Sequence, residues 1–203
     1  VWPDLWPSSR MADASSVGCD VVIVAHNSGR FLHDAVSSAV EQAGAEHVWL
    51  MDAESTDGSV DALRQHGPGV HIVPVLNRGF AAANNRGMGL TDAPFVLLLN
   101  PDATLGPGAL TALLETASAD PQAGIVGAKI LNPDGSVQAG SFGRFPSLVE
   151  ALRLRLSRLA QRLRGNSSLS PKPPTRTSPV DWVTGAAMLA RRAAIDDVGP
   201  MDE

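Results

Sequence analysis

From Asp20 to Leu131 the chain alternates short apolar runs with longer amphipathic stretches. VVIVA (21–25) is β-branched and apolar, the pattern of a buried strand. In NSGRFLHDAVSSAVEQAG, residues Phe31, Leu32, Ala35, Val36, Ala39 and Val40 recur at helical spacing and Gly44 stands where a helix would stop. HVWLMD (47–52) predicts a second strand and STDGSVDALRQHG a capped helix closed by Gly67. VHIVPV (70–75) predicts a third strand. GFAAANNRGMGL predicts a helix, with two internal glycines that weaken the pattern. PFVLLLN is a fourth strand, GPGALTALLETASAD a helix with proline near its start, and GIVGAKIL (124–131) a fifth strand.

Strands and helices alternating at these spacings define an α/β class: a mostly parallel sheet with helices on both faces. Ligands of such sheets bind beyond the carboxyl ends of the strands. The polar residues that end the apolar runs lie there: His26 and Asn27, then Asp52, then Asn77, then Asn100-Pro101-Asp102. Four strand ends aimed at one rim imply a shared site.

After Leu131 the pattern changes. NPDGSVQAG reads as a small hairpin around a Pro-Asp-Gly turn. Over 148–164, Leu148, Leu152, Leu156, Leu159 and Leu163 form an apolar helical stripe, with Arg153, Arg155, Arg158, Arg162 and Arg164 off it. Residues 165–179 read as a flexible, proline-rich loop. VDWVTGAAMLARRAAIDDVG begins strand-like and turns helical from Arg191. The expected organisation is a disordered leader (1–19), an α/β half (20–131) and a second half (132–203) with the arginine-rich helix and the flexible loop.

Composition narrows the partners. The 203 residues are 44% hydrophobic and 18% charged, a globular balance. A net charge of -5 argues against nucleic acid as a partner. The single cysteine, Cys19, excludes an internal disulfide and a cysteine-built zinc site, and suits a reducing compartment. No run is long and apolar enough for a membrane span. The arginine-rich stripe would suit an anionic membrane surface, although an ordinary helix packed on the domain shows the same pattern.

Asp52 ends a strand, where a carboxylate can accept a hydrogen bond from a base imide. Ser55, Thr56 and Asp57 make a helix-cap cluster. Asn100 and Asp102 offer a carbonyl and a carboxylate two residues apart. Mg2+ and Mn2+ prefer such oxygen donors and take further ligands from phosphates, although Asn-Pro-Asp alone is also a common turn.

VVIVAHNSGRFL, MDAESTDGS, NRGFAAANNRGM, VLLLNPDATL and VDWVTGAAMLARRAAIDDVGPMDE occur in this order. Together they resemble the family 2 glycosyltransferases, with most likeness to bacterial rhamnosyltransferase-like members. The resemblance runs from Asp20 to Glu203. It implies a GT-A fold and inverting transfer of a sugar from a nucleotide diphosphate to a saccharide or polyprenyl-linked acceptor in cell-envelope polysaccharide synthesis. It also implies a divalent cation and a cytoplasmic location, peripheral to the inner face of the plasma membrane.

Residue by residue, the resemblance places Ala25 and Asn27 at the nucleotide pocket and gives base recognition to Asp52, with Glu54 close by. Asn77, Gly79 and Phe80 would close over the nucleotide. Asn84 or Asn85 would reach the sugar or phosphates. Asp102 matches the last position of the family's Asp-x-Asp metal motif, with Asn100 at the first. Trp182, Gly185 and Ala186 match the acceptor side. The catalytic base is expected beyond Glu203, so the chain reads as truncated and weak in transfer. A non-catalytic nucleotide-sugar-binding remnant is the competing reading. A nucleotidyltransferase or Rossmann dehydrogenase fits less well, since AHNSGRF is not a glycine-rich phosphate loop.

Overall fold

The computed structural model describes residues 18–138, 140–145 and 176–203. The predicted helix at 148–164 lies outside the described residues, as do residues 1–17 of the predicted leader and most of the loop at 165–179. The chain divides into two units, one of residues up to 128 together with 185–203, the other of residues 129–184.

The first unit is built on a six-stranded sheet in the order β3-β2-β1-β4-β8-β5. Its strands are β1 (Cys19–Ala25), β2 (Val48–Ala53), β3 (His71–Val75), β4 (Phe95–Leu99), β5 (Ile125–Gly127) and β8 (Ala187–Arg191). The pairs β1–β2, β1–β4 and β2–β3 are parallel, whereas β8 runs antiparallel to β4 and β5. Helices α1 (Phe31–Ala43), α2 (Ser59–His66), α3 (Phe80–Met88) and α4 (Ala109–Ala119) connect the strands, and α5 (Arg192–Val198) follows β8.

β1 and β4 are buried along almost their whole length, which explains their unbroken apolar sequences. On one face Val22, Met51, Met88, Val96 and Leu98 form a cluster with α3. The glycines that weakened the helical pattern of α3 have a packing reason at Gly87. A Cβ there would lie 2.4 Å from Val22 Cγ1, so the helix backbone rests directly on β1. Alternate strand residues, among them Val21, Ile23, Leu50 and Leu97, are fully buried toward the opposite face. Cys19 is buried too, and burial pushes its thiol up to about 12, so it stays neutral and unreactive.

The division expected at Leu131 differs from the observed one. Residues 185–203 return to the first unit because β8 fills the slot between β4 and β5. Two adjacent arginines hold them there. The Arg191 guanidinium donates to the carbonyls of Ala117, Asp120 and Ala123 at the end of α4. Arg192 donates to the carbonyls of Met88 and Thr91 after α3. Both guanidinium groups add donors to carbonyls at and just beyond helix ends, where intrahelical donors run out. The fifth strand is also shorter than the apolar run suggested. Only Ile125–Gly127 pairs with β8, and Leu131 instead bridges Val137 in the small hairpin.

The second unit, among its described residues, holds that hairpin and a two-stranded ladder of β6 (Phe142–Gly143) and β7 (Trp182–Val183).

Candidate functional site

At the carboxyl rim, the loops after β1 and β2 are tied to each other. His26 Nδ1 lies 2.7 Å from the Ala53 carbonyl, and the Thr56 backbone N–H donates to Asn27 Oδ1 at 2.8 Å. The Gly29 N–H donates to Asp57 Oδ2 at 2.8 Å. Asn27 and Glu54 both adopt left-handed backbone, at φ 52° and 57°, in the two loops that these bonds hold together. Asp57 also accepts from the hydroxyl and N–H of Ser59 in the first turn of α2. Those bonds, the Ser59 hydroxyl foremost, hold its carboxyl below the usual value. Asp57 stands one residue before the N-cap, Gly58, where it bonds the first residue of α2 and also anchors the β1 loop.

The loop after β4 is held from underneath. Leu105 donates its N–H to Ser38 Oγ, and Gln42 of α1 bonds the carbonyl of Gly106 and the N–H of Leu110. Asn100 donates its N–H to the Ala186 carbonyl and accepts from the Ala103 N–H. All of these bonds use backbone groups of the loop. Asp102 is exposed at the turn, and its carboxylate makes no ion pair among the described residues.

Between these loops lies a cleft of about 710 Å³, within the range of small-ligand sites. Asn27, Phe80, Asn100 and Asp102 line it, together with His26, Ser28, Gly29, Arg30, Phe31 and Pro101. The Arg30 guanidinium sits 5.0 Å from the centroid of the Phe31 ring. Phe31 and Phe80 are about half exposed, so two phenyl rings stand in the cleft wall. Sequence reasoning missed Arg30 and Phe31. Phe31 was counted in the apolar stripe of α1, whereas its ring is half exposed at the first position of the helix.

Other expected site residues do not line this cleft. Ala25 is fully buried at the end of β1. Asp52 is 8% exposed, accepts the Ser55 N–H at 3.0 Å on one oxygen and pairs with Arg64 at 3.1 Å on the other. Glu54 accepts the Asn77 N–H, which ties the loops after β2 and β3. Gly79 leads into α3, at φ 100°. Asn84 is buried and donates to the Phe80 carbonyl of its own helix. Asn85 clasps Met201 in both directions, donating to its carbonyl at 2.8 Å and accepting its N–H at 2.9 Å. Gly185 and Ala186 belong to the first unit, whereas Trp182 belongs to the second, where its indole covers Gly143.

No group of three or more His, Cys, Asp or Glu able to hold a metal occurs among the described residues. Asp102 thus offers one charged oxygen ligand. That suits a cation completed by water and a ligand's phosphates, and not a closed protein cage.

Solved structures share this fold. A mannosyltransferase from Pyrobaculum calidifontis, in complex with GDP-Man and Mn2+, aligns over 98% of this chain and 51% of its own at a TM-score of 0.59 and 18% identity. S. aureus TarS 1–349 aligns over 89% of this chain and 48% of its own at a TM-score of 0.56 and 14% identity. The fold is the GT-A fold. Residues 20–196 match the model of glycosyl transferase family 2, and the chain belongs to that family. It is 36% identical to the N-acetylglucosaminyl-diphospho-decaprenol L-rhamnosyltransferase of Mycobacterium tuberculosis, over 90% of this chain. The chain spans 64% of that relative's length.

Proposed function

We propose that this chain binds a nucleotide-diphosphate sugar for an inverting glycosyltransferase of cell-envelope polysaccharide synthesis. The donor sugar in this reading is a hexose such as rhamnose, and the acceptor is a saccharide carried on a polyprenyl diphosphate. The rhamnosyltransferase relative at 36% identity supports both choices. The observation that carries the reading is the cleft where the β1 and β4 loops meet, with a carboxylate at Asp102 that makes no ion pair among the described residues.

A diphosphate beside Asp102 brings like charges together, and a divalent cation between them removes the repulsion. When bound by Asp102, with Asn100 beside it, Mg2+ or Mn2+ would stabilise the charge that collects on the departing diphosphate. The neighbour solved with GDP-Man and Mn2+ supports that assignment. Asn27 and the cross-tied loops around it shape the nucleotide end, with Asp52 and Glu54 behind them. Asn77 and Gly79 lead the chain to Phe80 at the wall. Arg30 adds positive charge to the same cleft. Ala186 joins the β4 turn to the acceptor side.

Transfer also requires a base to take the acceptor's proton as its oxygen attacks the anomeric carbon. Asp102 is the one carboxylate in the cleft lining among the described residues, and a metal ligand cannot serve as that base. The second reading is that this chain holds the donor without transferring it. Peripheral contact with the inner face of the plasma membrane belongs to the proposal too, because a polyprenyl-linked acceptor resides there.

The test combines calorimetric titration with UDP, dTDP and GDP, with and without Mn2+, and a transfer assay to a polyprenyl-diphosphate-linked saccharide. Mn2+-dependent binding of one nucleotide supports the donor site. Binding with turnover rejects the second reading, and failure of all three nucleotides to bind rejects both.

A further inference from the structure

α3 starts after β3, at one edge of the sheet, yet its first residue stands across the sheet from there. The ring of Phe80 rests over Gly185, which shortly precedes β8 on the far side of β4. A Cβ built on Gly185 would lie 3.2 Å from ring Cζ and 3.5 Å from Cε1. A real methyl group there would force the ring to give way by a few tenths of an ångström. The bare backbone of Gly185 therefore sets how far the ring stands into the cleft. The bond from the Asn100 N–H to the Ala186 carbonyl holds this segment beside the Asp102 turn.

The strand order gives the cleft a direction. With Asp102 after β4 as the reference point, the β1 and β2 loops lie to one side, and Gly185 with the Phe80 ring tip to the other. A donor with its diphosphate at Asp102 and its base toward β1 would extend its sugar toward Phe80. The ring is 46% exposed and carries no polar atom. It offers apolar area to a C–H face of a pyranose and nothing to a hydroxyl.

We propose that Phe80 is a specificity-determining residue that takes the donor's sugar ring against its phenyl face, and that Gly185 positions it. The proposal rests on the donor-site reading above. It makes a segment expected on the acceptor side a determinant of donor choice.

The experiment is calorimetric titration of the 203-residue chain with Mn2+ present. The probes are UDP, dTDP and GDP, and the matching UDP-glucose, dTDP-rhamnose and GDP-mannose. The proteins are wild type, Phe80→Ala, Phe80→Leu, Gly185→Ala and the Phe80→Ala/Gly185→Ala double variant. A lost apolar contact in such a pocket changes affinity by about tenfold or more. Phe80→Ala is therefore expected to weaken the preferred nucleotide sugar by about that factor and its nucleoside diphosphate by clearly less, with Phe80→Leu in between. Gly185→Ala is expected to weaken the nucleotide sugar in the wild-type background and to have no further effect once the ring is gone, because the two residues act through one contact. Equal losses for sugar and diphosphate, or additive effects of the two substitutions, overturn the inference and leave the donor site standing. Absence of any nucleoside diphosphate binding to wild type overturns the donor-site reading and the inference with it.

Discussion

Two loops on the same rim use their polar residues in opposite ways. The end of β2 and the loop after it bind their carboxylates to the protein itself: Asp52 pairs with Arg64 and Ser55, and Asp57 with Gly29 and Ser59. The segment after β4 is held through its backbone by Ser38, Gln42 and Ala186, and Asp102 is left facing the cleft. In sequence the two look alike, each a carboxylate following an apolar strand. The difference is whether neighbouring elements supply partners. A carboxylate whose oxygens already accept hydrogen bonds contributes to the fold, and one without partners is open to a ligand.

The sharpest way to break this comparison is Asp102→Ala. Loss of an outer-shell partner alone costs a metal site 10–100-fold, so loss of the direct ligand should lower Mn2+-dependent nucleoside diphosphate affinity by about 100-fold. Its thermal stability should stay within about 0.5 kcal/mol of wild type, as for a surface substitution. EDTA should reduce wild-type binding to the same level. Titration calorimetry and thermal melts check both arms, and strong destabilisation would give Asp102 a structural role.

Asp52→Asn should behave in the reverse way. Weakening this part-buried, charge-assisted pair costs about 1 kcal/mol, read as a lower urea midpoint, while nucleotide affinity changes little. Lost affinity for one base at unchanged stability would instead support base recognition by Asp52. Ser38→Ala removes the acceptor of the buried Leu105 N–H, at about 1–3 kcal/mol by the same reasoning. Because that bond shapes the β4 loop, a parallel fall in nucleotide affinity is expected.

The smallest effect is a pH dependence. The Asp57 carboxyl titrates below its ordinary 3.8 because the Ser59 hydroxyl, then the Ser59 and Gly29 N–H groups, favour the ionised form. A lowered value in the folded state means that this stabilisation is fully present above about pH 3.8 and is lost as pH falls through the lower, folded-state value. Asp57→Asn should remove that acid-side component, and melts between pH 5 and 2 compare the two proteins. Identical acid profiles would show that the tie to the β1 loop is unimportant.

Much of the architecture was legible in the chain because apolar periodicity depends on near neighbours. The first four strands, four helices and the polar rim follow from it, and Asn27, Phe80, Asn100 and Asp102 do meet at one cleft. Asn85 was not legible. Its partner, Met201, lies 116 residues away, and nothing local distinguishes it from Asn84, whose amide bonds its own helix. Gly87 looked like a flaw in a helix until Val22 was found against it. The return of 185–203 to the first sheet was hidden as well, since a short apolar run such as AMLAR does not show which strands it will join.

The order of strands and helices, the rim that collects their polar ends and the family motifs are properties of the sequence alone, set by period, propensity and turn chemistry. Which carboxylate is bound within the fold and which one faces the cleft was decided only in three dimensions. The same holds for Phe80 resting on Gly185. Hydrogen bonds and contacts across dozens of residues depend on which strands become neighbours, and that choice belongs to the packed core, not to any local stretch.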